Sequence, residues 1–157
     1  MSLKEELKLK KGFEIVEHEA LLNIYHTANL LKKRADVLFR TSGLTDVQYN
    51  VMALLTYQAG KEGGLSQAQL SDRMLVNRAN ITSLVDRMEK SDLVVRTAHS
   101  KDRRFNIIKL TTKGAKLFAR VEPHYFAQIR QAMSGATESE QKKLMAILEK
   151  VRANLKE

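Results

Sequence analysis

Apolar residues recur at three- and four-residue intervals over most of the chain, a pattern that predicts α-helices. One apolar stripe lies between about Glu14 and Arg40 and contains Leu21, Tyr25, Ala28, Leu31, Ala35 and Leu38. A second stripe lies near the end of the chain and contains Leu144, Ile147, Leu148, Val151 and Leu155. The first predicted helix is about 27 residues long, and a helix of that length is better supported by a partner than alone in water.

Three further segments begin with the sequence signature of a capping box, in which a Ser or Thr precedes a Glu or Gln by three residues. The pairs are Thr45 and Gln48, Ser66 and Gln69, and Thr137 and Glu140. Val47, Val51, Leu54 and Leu55 are expected to form the inner face of the helix after Thr45. Thr111 begins another helix, which Pro123 should kink rather than end.

The middle of the chain predicts two helices joined by a tight turn. The first follows Ser66 and ends near Met74, and Asn77 is a suitable N-cap for the second, from Arg78 to Lys90. Four apolar residues of the second helix cluster within about 100° of one another: Ile81, Leu84, Val85 and Met88. The opposite side carries small and polar residues, namely Ala79, Thr82, Ser83 and Asp86.

Two β-branched and aromatic-rich runs follow, Leu93–Thr97 and Phe105–Leu110. They predict a hairpin with a charged tip from Ser100 to Arg103. Two short helices followed by such a hairpin are the order of a winged helix-turn-helix. We therefore expect a mainly α fold with a small β-hairpin wing.

The charge of the chain favours a polyanionic partner, because 27 Lys and Arg residues outnumber 18 Asp and Glu residues and leave a net charge of +9. The largest excess falls on residues 66–114, with 10 basic and 5 acidic residues and a net charge of +5. A solvated basic face without a partner is the alternative interpretation of charge alone.

Several classes of protein are disfavoured. The chain has no Cys, which excludes disulfides and thiolate metal sites. It has neither an apolar run of about 20 residues, the length of a membrane span, nor an apolar signal-peptide core, so we expect a cytoplasmic protein without a membrane partner. The His residues are scattered and predict no metal site. Glu14, Glu17, His18 and Glu19 lie close together without a nucleophile or a Gly-rich phosphate loop, so no catalytic site is predicted.

The second helix offers side chains that suit a DNA major groove. In a helix-turn-helix, the N-terminal residues of the second helix meet the base edges. Arg78 suits guanine, Asn80 suits adenine, and Thr82 and Ser83 suit phosphates or a thymine methyl group. Asn80 and Thr82 as ordinary solvated helix positions are the alternative.

The hairpin tip, which contains Lys101, Asp102, Arg103 and Arg104, suits the minor groove. An Arg side chain is slim enough to enter a narrow minor groove, where the negative potential is enhanced. Asp102 cannot favour DNA by charge, so we expect it to hold one of the two arginines in position. A solvated turn is the alternative.

These motifs together resemble the MarR family of bacterial transcriptional regulators. The likeness is strong from about Leu44 to Gly114. It rests on Asn80 to Lys90, Leu93-Val94-Val95-Arg96, Asp102-Arg103-Arg104, Leu110-Thr111-Thr112-Lys113-Gly114, Leu44-Thr45 with Gln48, and Leu65-Ser66-Gln67 with Leu70. One position departs from the family pattern, because Asp92 stands where a glycine is usual. Since Asp tolerates the left-handed conformation better than most residues, we expect the turn to survive.

The resemblance implies a homodimer built from residues 1–43 and 115–157, with a DNA-binding domain over residues 44–114. In that domain the helix-turn-helix covers about residues 66–90 and the wing about residues 93–110. Arg103 would enter the minor groove, while Asp86, Arg87, Asp102 and Arg104 would brace the wing or meet phosphate.

The resemblance further implies a ligand-responsive repressor that binds a palindromic operator on double-stranded DNA. No cofactor is expected beyond a possible small aromatic or lipophilic effector. Tyr25, His26, Tyr49 and Met52 are candidates for an effector cavity, although core packing explains them equally well. The other functional interpretation is a basic helical protein that coats DNA without reading its sequence or docks to another protein.

Overall fold

The computed structural model describes residues 2–74, 78–98 and 105–155, and of Arg78 it describes the backbone only. In chain order the elements within these ranges are α1 Leu3–Glu6, α2 Val16–Thr41, α3 Asp46–Tyr57, β1 Leu65–Ser66, α4 Gln67–Met74, α5 Arg78–Lys90, β2 Val94–Ala98, β3 Asn106–Leu110, α6 Thr112–Met133 and α7 Glu138–Ala153. The mainly α fold with a small β-hairpin is confirmed. No helix within the described ranges combines the length and the apolar character that crossing a membrane requires.

The chain forms two compact units, residues 1–51 and residues 52–157. In the first unit α2 ends in a Schellman motif, because the N–H of Gly43 bonds to the carbonyl of Arg40 and the N–H of Leu44 to that of Phe39. Gly43 has a φ of +72°, which glycine adopts without strain. The ring of Phe39 stacks on that of Tyr49 with centroids 4.5 Å apart.

Much of the predicted stripe of α2 is exposed. Ala35 of that stripe is buried and so is Phe39, which the prediction omitted. Large apolar side chains that face solvent on this helix are Val16, Leu21, Ile24, Tyr25, Leu30, Leu31 and Val37. The apolar face of α2 is therefore left largely uncovered in the single chain.

In the second unit, α4 and α5 contact each other and a three-stranded antiparallel sheet with the order β1-β3-β2. Val94 of β2 pairs with Leu110 of β3, and Ala98 pairs with Asn106. The sheet and the two helices share a core of Leu65, Leu70, Ile81, Leu84, Val85, Met88, Val94 and Ile108. The predicted inner face of α5 is thus confirmed.

The structure contains one strand that the sequence did not predict, and it corrects one predicted core residue. The strand β1 was not predicted, since two residues are too short to show an alternating pattern; Leu65 pairs with Ile108 of β3. Val47 was wrongly assigned to the core and is 42% exposed. The buried face of α3 is centred on Met52 and Leu55, and Val47 points roughly 110° away from that centre at 100° per residue.

The last two helices, α6 and α7, begin at the predicted N-cap residues Thr111 and Thr137. The Thr111 hydroxyl accepts a hydrogen bond from the N–H of Gly114, and α6 continues past Pro123 to Met133. Thr137 and Glu140 form the predicted capping box at the start of α7. None of the residues of α7 is buried, and its exposed apolar side chains are Leu144, Met145, Ile147 and Val151.

Candidate nucleic-acid interface

The first helix of the candidate interface, α4, begins with the predicted capping box. The Ser66 hydroxyl accepts from the N–H of Gln69 at 3.2 Å, and the Gln69 side chain accepts from the N–H of Ser66 at 2.9 Å. These two bonds satisfy backbone groups at the helix start. The side-chain amide of Gln67 also lies 3.4 Å from the Thr82 hydroxyl and joins α4 to α5.

The second helix, α5, separates its apolar and polar residues onto opposite faces. Ile81, Val85 and Met88 are completely buried against the rest of the unit. The opposite face carries the residues that were predicted to contact DNA. All of these are exposed, namely Ala79, Asn80, Thr82, Ser83, Asp86 and Arg87. This arrangement leaves a slim polar surface, which entry into a major groove requires.

Arg96 of β2 binds two carboxylates of α5. Its Nη2 lies 2.5 Å from Oδ1 of Asp86, its Nη1 binds Oε2 of Glu89, and its backbone N–H donates to Oε1 of Glu89 at 3.0 Å. Partial burial lowers the pKa of the Arg96 guanidinium, but the hydrogen bonds and charges of the two carboxylates outweigh that effect and raise the pKa overall. Arg96 is therefore fully charged and joins the wing strand to the helix.

The contacts of Arg96 with Asp86 and Glu89 were not predicted from the sequence. The available signal was the spacing of Asp86 and Glu89, which puts both carboxylates on neighbouring turns of one helix face. A basic residue that follows across a short turn is a natural partner for such a pair. The sequence does not show which basic residue takes that position.

A left-handed residue makes the turn between α5 and β2. Asp92 has a φ of +57°, which confirms that Asp supports the turn in place of glycine. The N–H of Asp92 bonds to the carbonyl of Glu89 and the N–H of Leu93 to that of Met88. These bonds form a Schellman motif, and the buried side chains of Met88 and Leu93 supply its usual apolar residues.

Some predicted site residues lie outside the described part of the chain. They are Lys101, Asp102, Arg103 and Arg104, together with the side chain of Arg78. The backbone of Arg78 begins α5, as predicted. The roles assigned to these five side chains stay predictions.

The residues considered for an effector cavity differ in their surroundings. Tyr49 and Met52 are buried, and Tyr49 stacks on Phe39. Tyr25 is exposed, and Nε2 of His26 lies 3.1 Å from a carboxylate oxygen of Glu6. Across residues 2–74, 78–98 and 105–155, no group of three or more His, Asp or Glu side chains is arranged to hold a metal ion.

Comparison with known proteins places the chain in a family. A sequence model described as the MarR family matches residues 42–104. The transcriptional regulator MhqR of Bacillus subtilis, of the helix-turn-helix type, is 30% identical over 115 residues, which are 73% of this chain and 77% of that protein.

Solved structures share the fold. Sco3205, a MarR family transcriptional regulator from Streptomyces coelicolor in complex with DNA, is 24% identical, with a TM-score of 0.79 and coverage of 94% of each chain. An organohalide-sensing transcriptional regulator in its 2,4-dichlorophenol-bound form is 20% identical, with a TM-score of 0.77 and coverage of 93% of this chain and 87% of that one.

The sequence matches agree with the fold, in which two helices in succession are followed by a β-hairpin. They also identify the chain as a DNA-binding protein and not an enzyme, as the sequence analysis expected. The chain belongs to the MarR family of helix-turn-helix transcriptional regulators.

Proposed function

We propose that this protein reads a specific DNA sequence through α5 and acts as a homodimer on a palindromic operator. The observation that carries the proposal is the division of α5 into a buried apolar face and an exposed face of small and polar residues. A helix with this division can stay anchored in its domain while its outer surface meets base edges.

The proposed contacts follow from hydrogen-bonding chemistry. Arg78 donates two hydrogen bonds to guanine, and Asn80 pairs with the donor and acceptor of adenine. Ala79, Thr82 and Ser83 are small enough to let the helix approach the bases, and the side chains of Thr82 and Ser83 bond to phosphate or touch a thymine methyl group. Arg87 contacts phosphate near the end of the helix.

The wing serves the neighbouring minor groove in this proposal. Arg103 enters the groove, Asp102 holds one of the two wing arginines in position, and Lys101 and Arg104 add positive charge beside the phosphates. Support comes from the antiparallel pairing of β2 with β3, the two strands on either side of the predicted wing tip.

The homodimer joins residues 1–43 and 115–157 of both subunits around the DNA-binding domain of residues 44–114. Support comes from the exposed apolar side chains of α2 and, separately, of α7. Contiguous apolar surface on a chain of this size marks an interaction site. A dimer also matches a palindromic operator, because two-fold symmetry of the protein mirrors that of the site.

The proposal includes repression and release by a small aromatic or lipophilic ligand in the cytoplasm, where a bacterial regulator meets the chromosome. The related fold with bound 2,4-dichlorophenol supports a ligand of this class. Such a ligand shifts the dimer away from the DNA-binding state only by its higher affinity for the other state.

Selection of bound duplexes from a random DNA pool tests the proposal. A sequence reader should enrich a palindrome whose half-sites lie about one helical turn apart, and a footprint should cover both half-sites. Repeating the selection with aromatic acids and phenols should reveal a ligand that lowers recovery. Recovery of DNA without any sequence preference would favour the alternative, a protein that coats DNA.

A further inference from the structure

Arg96 connects the two elements that carry the proposed DNA contacts, the helix α5 and the wing strand β2. It lies on β2, the strand that leads into the wing, and pairs with Ile108 of β3. Its guanidinium reaches Asp86 and Glu89 of α5, and its own peptide N–H donates to Glu89. One residue thus joins the wing strand to α5 through both its side chain and its backbone.

The Arg96 side chain is less exposed than its partners. Its side chain is 21% exposed, against 49% for Asp86 and 38% for Glu89. Partial burial strengthens the attraction between the charges by reducing the screening from water. The flat guanidinium can also bind two carboxylates at once, which the point charge of a lysine does less well.

The charges of Asp86 and Glu89 present a difficulty for DNA binding. A carboxylate on the exposed face of α5 repels the phosphates of an approaching duplex. The contact with Arg96 turns the Asp86 carboxylate toward β2 and offsets part of the negative charge. The carboxylate of Asp86 therefore already has an ion-pair partner within the protein.

We propose that Arg96 is a positioning residue for DNA recognition, and that Asp86 and Glu89 act as its anchors rather than as base readers. This inference rests on the proposed function. Arg96 fixes the angle between α5 and the wing strand, so that the major-groove and minor-groove contacts are made together. Contacts held in place before binding need no ordering when the DNA arrives.

The test compares Arg96→Met with wild type on the selected operator and on a scrambled duplex of equal length. Methionine keeps an unbranched apolar stem and removes the charge. We expect operator affinity to fall by about tenfold or more, the effect of losing about 1.4 kcal/mol. Affinity for scrambled DNA should fall much less, so the ratio of the two affinities should shrink.

Three further measurements separate positioning from other roles. The salt dependence of binding should keep its slope in Arg96→Met, because Arg96 neutralises no phosphate in this proposal. In a double-mutant cycle, Asp86→Asn should have a smaller effect in Arg96→Met than in wild type. Lys142→Met, which breaks the surface ion pair with Glu138 on α7, should leave the affinity ratio unchanged.

Arg96→Lys provides a second variant should Arg96→Met fold poorly, as judged by circular dichroism. It keeps the charge and loses the two-pronged contact, so it should reduce the affinity ratio by an intermediate amount. The inference would be overturned if a folded variant kept the wild-type ratio of operator affinity to scrambled-duplex affinity. It would also be overturned if the slope of the salt dependence fell by about one while affinity fell equally for both duplexes. Wild type that does not distinguish the two duplexes would instead contradict the proposed function itself.

Discussion

The hydroxyl of Thr111 donates a hydrogen bond of 2.7 Å to the carbonyl oxygen of Asp92, which lies 19 residues earlier in the chain. The N–H of Thr111 also donates to the carbonyl of Leu93 at 3.1 Å. Because Thr111 is the N-cap of α6, these bonds attach the start of that helix to the turn after α5. The orientation of α6 is therefore coupled to the end of the proposed recognition helix.

Gly114→Ala should disturb this attachment. An added Cβ would lie 2.0 Å from the carbonyl oxygen of Leu93, which is backbone and cannot rotate away. We expect a loss of about 1–3 kcal/mol in the free energy of unfolding, as for other overpacked sites. Urea denaturation at fixed protein concentration measures it. Gly135→Ala is the matched control, because its Cβ would meet no atom within 4 Å; equal stability of the two variants would contradict the close approach.

The left-handed backbone of Asp92 is slightly strained, and substitutions there should change stability less than Gly114→Ala does. The φ of Asp92 is +57°. Asp92→Ala should lower the free energy of unfolding by about 1 kcal/mol, because alanine lacks the local hydrogen bonding that helps Asp in this conformation. Asp92→Gly should stay close to wild type, because relief of strain is offset by the greater freedom of the unfolded chain. Thermal melting of the three proteins compares them. If Asp92→Ala melted at a higher temperature than Asp92→Gly, the left-handed conformation of this residue would be contradicted.

Asn80→Ala and Arg103→Ala should affect DNA binding differently. Loss of the Asn80 contact should relax the preference at one base pair by about 1–3 kcal/mol, with less change at other positions. Loss of Arg103 should weaken operator binding several-fold through the flanking minor groove. Fluorescence anisotropy on single-base operator variants measures both. Equal loss on every sequence for Asn80→Ala would remove that residue from base reading.

Ile147→Asp should weaken self-association. Ile147 is 58% exposed in the single chain, and a charge placed in a dimer interface must lose its hydration. Sedimentation at micromolar concentration should show a dimer for wild type and a large monomer fraction for the variant. Ala146→Asp adds the same charge to another side of α7 and should remain dimeric. A wild-type protein that sediments as a folded monomer would contradict the dimer.

The capping box of α7 should make stability depend on pH. Hydrogen bonds from the Thr137 side chain and backbone lower the pKa of Glu140 below its usual 4.5. Because the folded pKa is the lower one, the ionised cap stabilises the protein above the unfolded pKa, and this stabilisation is lost as pH falls through the folded pKa. Wild type should therefore melt above Glu140→Gln at pH 7, and the difference should shrink in acid. A difference that grows in acid would contradict the assignment.

Much of the fold was predictable because its signals are local. A capping box connects residues three apart, and the buried face of α5 follows from helical periodicity, so Ser66, Gln69 and Ile81 were assigned correctly. The exposed polar positions of α5 followed from the same periodicity. The left-handed turn at Asp92 was likewise predictable, since it depends on one residue and its neighbours.

What the tertiary structure decided involves residues far apart in sequence. The partners of Arg96 lie across a turn on another element, the strand Leu65–Ser66 exists only through its pairing with β3, and Gly114 is needed because α6 approaches Leu93. Val47 was misplaced because periodicity defines a face without saying how wide the core against it will be. Local sequence therefore determined where α4, α6 and α7 begin and which face of α5 is buried, while the contacts between elements depended on how the whole chain packs.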